Sequence, residues 1–377
     1  MSPKPFSVQY TLQLITLLGA TFGLVFWPEA GSEAVKEGLL LCSNVIIPSL
    51  FPFFILSSMV VELGLSHGLG RLFEGIMVPL FRVNGTCATA LALGFVGGYP
   101  VGARTTVTLY QNGQCSEVEG ARLLAFSNNS GPAFVLGVVG AGIFHSPTIG
   151  GLLYLAHVLG CLIVGMLFRF YKPSHPPTKS SPPSTLQATS FSKAFVHSVT
   201  SALTSTLHVC AFLLCFTVLI RLLSMAGVID FLGAGVGLLL TPLGVPAHSA
   251  HGLVVGFIEL ASGVTSLAKV GEIKLPIIAF LLGWGGISVH CQVLAFLGES
   301  GLSLKTYFIG KFLHGVFSAI IIWLIAPWVP SPLTTVVPTF GFADYSVPIW
   351  VPCGIAICVW GILSRGRIIW IKTNGRG

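Results

Sequence analysis

The side chains of this chain that could do chemistry are few, and they stand alone in apolar sequence. Glu259 is the only Asp, Glu, Lys or Arg between Asp230 and Lys269. A carboxylate in such a run is costly unless paired, hydrated or protonated, so it marks either a functional position or a helix end at the membrane interface. Arg104 closes the run GFVGGYPVGAR (94–104), directly after Gly97, Gly98, Tyr99 and Pro100. Its planar guanidinium could meet an anionic solute with two parallel hydrogen bonds, or it could snorkel to the membrane surface. Asn128, Asn129 and Ser130 form a polar turn before Gly131-Pro132. They could hydrogen-bond a carboxylate or satisfy backbone groups freed by a helix break. Ser262 follows Glu259, and Ser288, His290 and Gln292 follow Gly285-Gly286. His290 and Gln292 suit a solute or a proton, or simple packing in a bundle.

These groups do not compose a catalytic site. The chain lacks G-x-S-x-G, H-E-x-x-H and a pair of intramembrane aspartates, its two Asp being 230 and 344. Ser288 and His290 are two residues apart and would not face each other on a helix. His248 and His251 have i, i+3 spacing but no third metal ligand nearby. No phosphate-binding G-x-x-x-x-G-K-[ST] run supports ATP drive. No metal and no cofactor is implied.

The elements that must position these groups are membrane helices. Only 8% of residues are charged and 53% are hydrophobic, against about 25% charged in soluble domains. Mean hydropathy is +0.88. The chain reads as an all-α polytopic membrane protein, and its net charge of +7 reports orientation, not nucleic-acid binding. The nine cysteines form no C-x-x-C pair and read as small packing residues. Spans are expected at Gln9–Trp27, Gly38–Val61 (kinked by Pro48 and Pro52), two between Pro132 and Tyr171, and then about Thr204–Ile220, Phe231–Leu243, His251–Gly263, Leu275–Gly298, Phe312–Val329 and Val347–Leu363. Ser32 is a candidate N-cap in the acidic stretch Pro28–Glu37. His67–Arg82 has apolar residues at i, i+3, i+4 and suits an amphipathic surface helix. The Pro/Ser/Lys-rich stretch 171–190 reads as a linker.

Val83–Ala103 and Leu123–Phe168 carry no Asp, Glu, Lys or Arg. Gly and Pro at such depth break a helix, and the freed backbone is tolerated only inside protein or along a watered cavity. Broken helices near the midplane build the sites of many secondary transporters. The two halves also repeat. At an offset of 163, Gly64 matches Gly227 and Pro79 matches Pro242; after one lost residue, Gly94 matches Gly256. The 97–100 break then faces Glu259, and the 128–132 break faces 283–292. Basic residues cluster in and around the linker and after Leu363, while 330–347 has none, which places the first two in the cytoplasm and the third outside. The repeats are therefore expected to be inverted. Glu259 and the 128–130 turn should line one cavity, with Glu259 making flux sensitive to pH.

GFVGGYPVGAR, LLAFSNNSGPAFVLG, GFIELASGV and GWGGISVHCQ followed by GKFLHG together resemble the sporulation integral membrane protein YlbJ family over about residues 32–328. That family belongs to the nucleoside-recognition, or Gate, domain proteins, which are distantly similar to concentrative nucleoside transporters. The resemblance implies Gate-like repeats at 32–170 and 191–329 with re-entrant helices; hydropathy and charge add a first transmembrane helix over 1–31, a cytoplasmic linker at 171–190, and a loop, extra helix and basic tail over 330–377, the linker and extra helix lying outside the resemblance. It implies a transporter or facilitator in a bacterial cell or forespore membrane for a small anionic solute, a dipicolinate-like dicarboxylate. The site expected from the helix breaks comprises Gly97–Pro100, Arg104, Asn128–Ser130, Glu259, Ser262, Gly285, Gly286, Ser288, His290 and Gln292. A nucleoside carrier, a sporulation scaffold and an intramembrane enzyme stay open as alternatives. The implied partners are a small-molecule solute and the lipid bilayer, without nucleic acid; a homo-oligomer stays open.

Overall fold

The computed structural model describes residues 8–63, 65–178, 190–243, 247–268, 275–298 and 300–325. The expected loop, span and tail beyond 330 lie outside them. Helix α1 (Val8–Phe26) turns by 98° into α2 (Pro28–Leu41). Pro28 is the first helical residue of α2, where its fixed φ and missing N–H suit a helix start. Ser32 thus lies within α2 and is not the expected cap. A π-helical stretch at Cys42–Ile46 leads into α3 (Ile47–Glu62), which carries Pro52 inside it.

Helix α4 (Leu65–Phe81) meets the following segment at 98°. Phe73, Met77 and Phe81 pack inward while Leu72, Ile76 and Leu80 are exposed. Two short helices, α5 (Ala88–Gly97) and α6 (Val101–Gln111), then form a hairpin whose tip is Gly98–Pro100. Ser116 opens α7 (Glu117–Ser127) with a capping box to Glu119. After the Asn128–Gly131 break comes a π-helical stretch at Ala133–Ile143, then α8 (Pro147–Phe168). Two spans were expected here. The first is replaced by the 11-residue π segment, because the polar turn ends α7 deep within the protein.

The second half opens with the 35-residue α9 (Phe191–Met225), of which the expected Thr204–Ile220 span is the inner part. Helix α10 (Val228–Leu240) follows. A second hairpin joins α11 (Ala247–Ile258) to α12 (Leu260–Ala268) at Glu259, and α13 (Leu275–Trp284) breaks at Gly285 into α14 (Gly286–Leu297). Helix α15 (Leu304–Ile325) completes the described bundle. Both halves therefore run through a hairpin and then a broken helix. Among the described residues four helices are long and apolar enough to cross a membrane, or six if each bent pair is one span.

Close packing rests on small residues, as expected where lipid is as apolar as the side chains. Helix α15 is the hub. Gly310 admits the Ala125 backbone of α7, Gly315 meets Gly283 of α13, and Ser318 lies against Gly160 of α8. The two hairpins share a second device. Gly94 and Gly102 face each other across α5 and α6, and Gly256 and Gly263 do so across α11 and α12.

The linker is corrected in its first part. Residues 171–178 are not a loose tether. The buried Arg122 donates to the carbonyls of Arg82 (2.6 Å), Tyr171 (2.8 and 3.0 Å), Lys172 (2.9 Å) and His175 (3.2 Å). Glu119 accepts from the N–H groups of Asn84 (2.8 Å), Ser116 (2.8 Å) and Thr178 (3.0 Å), and from the Thr178 hydroxyl (2.7 Å). One buried cation and one buried anion so fasten the chain after α8 to the corner between α4 and α5.

Candidate site at the four helix breaks

The breaks meet one another in the middle of the protein. Gly98 has φ 73° and lies so close to Gly131 that a Cβ would sit 2.9 Å from its nitrogen. Only glycine takes that left-handed geometry at no cost. Tyr99, whose peptide to Pro100 is cis, reaches across the halves and donates its hydroxyl to the Leu282 carbonyl (2.7 Å). Its ring packs on Gly285, and Gly286 packs on the backbone of Ile258–Leu260. The first break thus touches the second and fourth, and the fourth touches the third.

Two cavities open beside this contact. The larger, about 400 Å³, lies between α3, α6 and α9 and is lined by Pro100, Arg104, Glu62, His197, His208 and a row of hydroxyls that includes Ser201 and Ser205. The smaller, about 70 Å³, is lined by Gly98, Tyr99, Ser130, Glu259, Ser288 and Gln292 among apolar residues. Gln292 borders both. Glu259 and Ser130 therefore share a wall, whereas Arg104 stands on the other cavity.

Glu259 is only 4% exposed. Its carboxylate accepts the N–H groups of Ala261 (3.0 Å) and Ser262 (2.6 Å), the free donors that begin α12. Seven of the expected site residues line neither cavity. Gly97, Ser262, Gly285 and Gly286 shape the backbone around it. Asn128 and Asn129 are fully buried behind it: Asn129 donates to the Phe126 carbonyl (3.0 Å) and Asn128 to the Tyr307 hydroxyl (3.3 Å). His290 faces the Tyr307 hydroxyl (2.9 Å) and Trp284 rather than a cavity. Their side chains are held by α15 and by their own chain, which the spacing of the turn alone does not reveal.

Sequence reasoning missed the groups that hold the breaks. Lys311 of α15 is fully buried. It donates to the Asn128 carbonyl (2.7 Å), the Tyr99 hydroxyl (3.0 Å) and His314 Nδ1 (3.3 Å). His157 of α8 accepts the Ser130 N–H (3.0 Å), and His314 Nε2 lies 2.8 Å from the His157 carbonyl. The signal was weaker than for Glu259, since Lys311 follows Lys305 near the start of α15, where lysines commonly meet the membrane interface.

Two hairpins and two broken helices closing on a polar midpoint define a membrane protein of transporter fold. Structures of CNTnw share it. The TM-score is 0.55 for an intermediate state, with 16% identity over 84% of this chain and 85% of that chain. It is 0.52 for an outward-facing state, with 15% identity over 85% of each chain. Residues 44–192 match the Gate family, described as nucleoside recognition. The sporulation integral membrane protein YlbJ of Bacillus subtilis (strain 168) is 34% identical over 341 residues, covering 84% of this chain and 83% of the relative. The chain belongs to the YlbJ family of integral membrane proteins.

Proposed function

We propose that this protein carries a small anionic solute, a planar dicarboxylate of the dipicolinate type, across the membrane between its helix breaks. The observation that carries the reading is the 400 Å³ cavity, where Arg104 stands with His208, the hydroxyls of α6 and α9, and His197 paired to Glu62 (3.0 Å). Guanidinium and hydroxyl donors suit a carboxylate head, and the cavity is roomy enough for one small aromatic solute. From there the solute passes the 97–100 tip toward the deeper wall of Ser130, Glu259, Ser288 and Gln292. Two inverted repeats supply the alternating movement. Glu259, facing Tyr99, Ser130, Ser288 and Gln292, is the group proposed to make flux respond to pH. The kinship with a sporulation membrane protein supports the dicarboxylate. The Gate match favours a nucleoside as the second reading.

Thermal unfolding of the purified protein with pyridine-2,6-dicarboxylate and with nucleosides, side by side, tests both. A true ligand at a hundredfold excess over its Kd stabilises by about 2.7 kcal/mol. A shift with nucleosides alone would replace the dicarboxylate. No shift with either, and no flux of either in liposomes, would remove the transport reading.

A further inference from the structure

The hydrogen-bond partners around Lys311 are those that a charged ammonium group would take. The Asn128 carbonyl can only accept. The Tyr99 hydroxyl spends its proton on the Leu282 carbonyl, so its oxygen accepts from Lys311. His314 Nε2 faces the His157 carbonyl, another pure acceptor, and must carry the proton there; in the neutral ring Nδ1 then accepts. Three acceptors surround Nζ at 2.7, 3.0 and 3.3 Å. An ammonium group has three donors and no acceptor, and beside a neutral His314 it matches all three. Among the described residues no carboxylate pairs with Lys311.

A charge so placed binds the oxygen that the second break releases and the side chain at the tip of the first. Unwound carbonyls of this kind hold Na+ in other transporter folds. We propose that Lys311 is a tethered cation that stands in for a free metal ion at the junction of the first two breaks, so that folding and solute movement need neither Na+ nor K+. A second cation on the same turn would sit beside the ammonium and be repelled. The proposal concerns the coupling of the transport reading above and rests on it for flux, but not for the junction itself. Carrying the solute past Tyr99 requires the Lys311–Tyr99 contact to break and re-form, which makes Lys311 a positioning residue.

The test uses the full-length purified protein in sodium, potassium or choline chloride at equal ionic strength. The wild-type unfolding midpoint is expected to be the same in all three. Lys311→Ala should lose about 5–10 °C, as for removal of charge-assisted buried hydrogen bonds. Methylammonium, which fits the vacated place, should restore part of that loss, and tetramethylammonium should not. Tyr99→Phe keeps the shape and removes one acceptor, so it gives a smaller fall should Lys311→Ala not fold. A wild-type midpoint raised by Na+ or K+ over choline would overturn the proposal and assign a cation to Asn128 Oδ1, Asn129 Oδ1 and Ser130 Oγ, which are buried without partners. A Lys311→Ala protein as stable as wild type, or one rescued equally by both amines, would overturn it as well. Dipicolinate flux in liposomes that is absent in every salt would count against the transport reading alone.

Discussion

Arg104 and Glu259 line different cavities. If a dicarboxylate binds beside the first hairpin, Arg104→Gln should weaken binding by about 1.5–3 kcal/mol, the range for a charge-assisted hydrogen bond. Arg104→Lys should keep part of it, because the charge stays while the planar fork is lost. Calorimetric titration with pyridine-2,6-dicarboxylate checks this, and unchanged affinity in Arg104→Gln would leave the residue a snorkelling one. Glu259 holds two backbone donors of α12, so Glu259→Ala should cost about 1–2 kcal/mol of stability and Glu259→Gln less, since one amide oxygen remains. A midpoint unmoved in Glu259→Ala would show that water replaces the cap. Glu259 was legible in the sequence because it is isolated. Lys311 was not singled out, because its place in the first turns of α15 reads as an interface position until the Tyr99 and Asn128 contacts are seen.

The hairpins depend on glycines as elements, not as single loops. A Cβ on Gly94 or Gly102 would run into the Ser127 carbonyl, and one on Gly263 into the Gly256 backbone of the facing helix. Backbone stands on both sides, so neither partner can swing away as a flexible side chain could. Gly94→Ala and Gly263→Ala should each lower stability by about 1–3 kcal/mol, the usual cost of overpacking. Gly75 in α4 has no atom within 4 Å of a Cβ, and Gly75→Ala should raise stability by up to about 1 kcal/mol through helix propensity. Thermal midpoints of the three variants compare them directly; equal behaviour would deny the hairpins their tight crossing. The breaks themselves were readable from Gly and Pro in uncharged runs. The pairing of Gly102 with Gly94 was not, because it depends on α6 folding back. The expected linker failed in its first part for a similar reason: Pro and Ser content cannot report that Arg122, far earlier in the chain, claims the carbonyls of Tyr171, Lys172 and His175.

At the scale of the molecule, the large cavity follows α9 from His197 to Phe212, about 22 Å at 1.5 Å per residue. It starts near the end of α9 that joins the basic 171–190 stretch. If that stretch is cytoplasmic, as the positive-inside rule implies, the His197 end of the cavity lies toward the cytoplasm. Ser205 lies on the cavity wall and offers a probe. Cys215 and Cys291 are the more accessible native thiols among the described cysteines, so Ser205→Cys is best placed in a background where both are serine. A membrane-impermeant maleimide should label Ser205→Cys in inside-out vesicles and not in right-side-out ones. Pyridine-2,6-dicarboxylate should slow the labelling if it fills the cavity. Labelling only from the opposite side would reverse the orientation and with it the charge argument for inverted repeats. Equal labelling from both sides, without protection by solute, would mean that the hairpin tips do not seal the path, and a gated carrier would give way to an open pore.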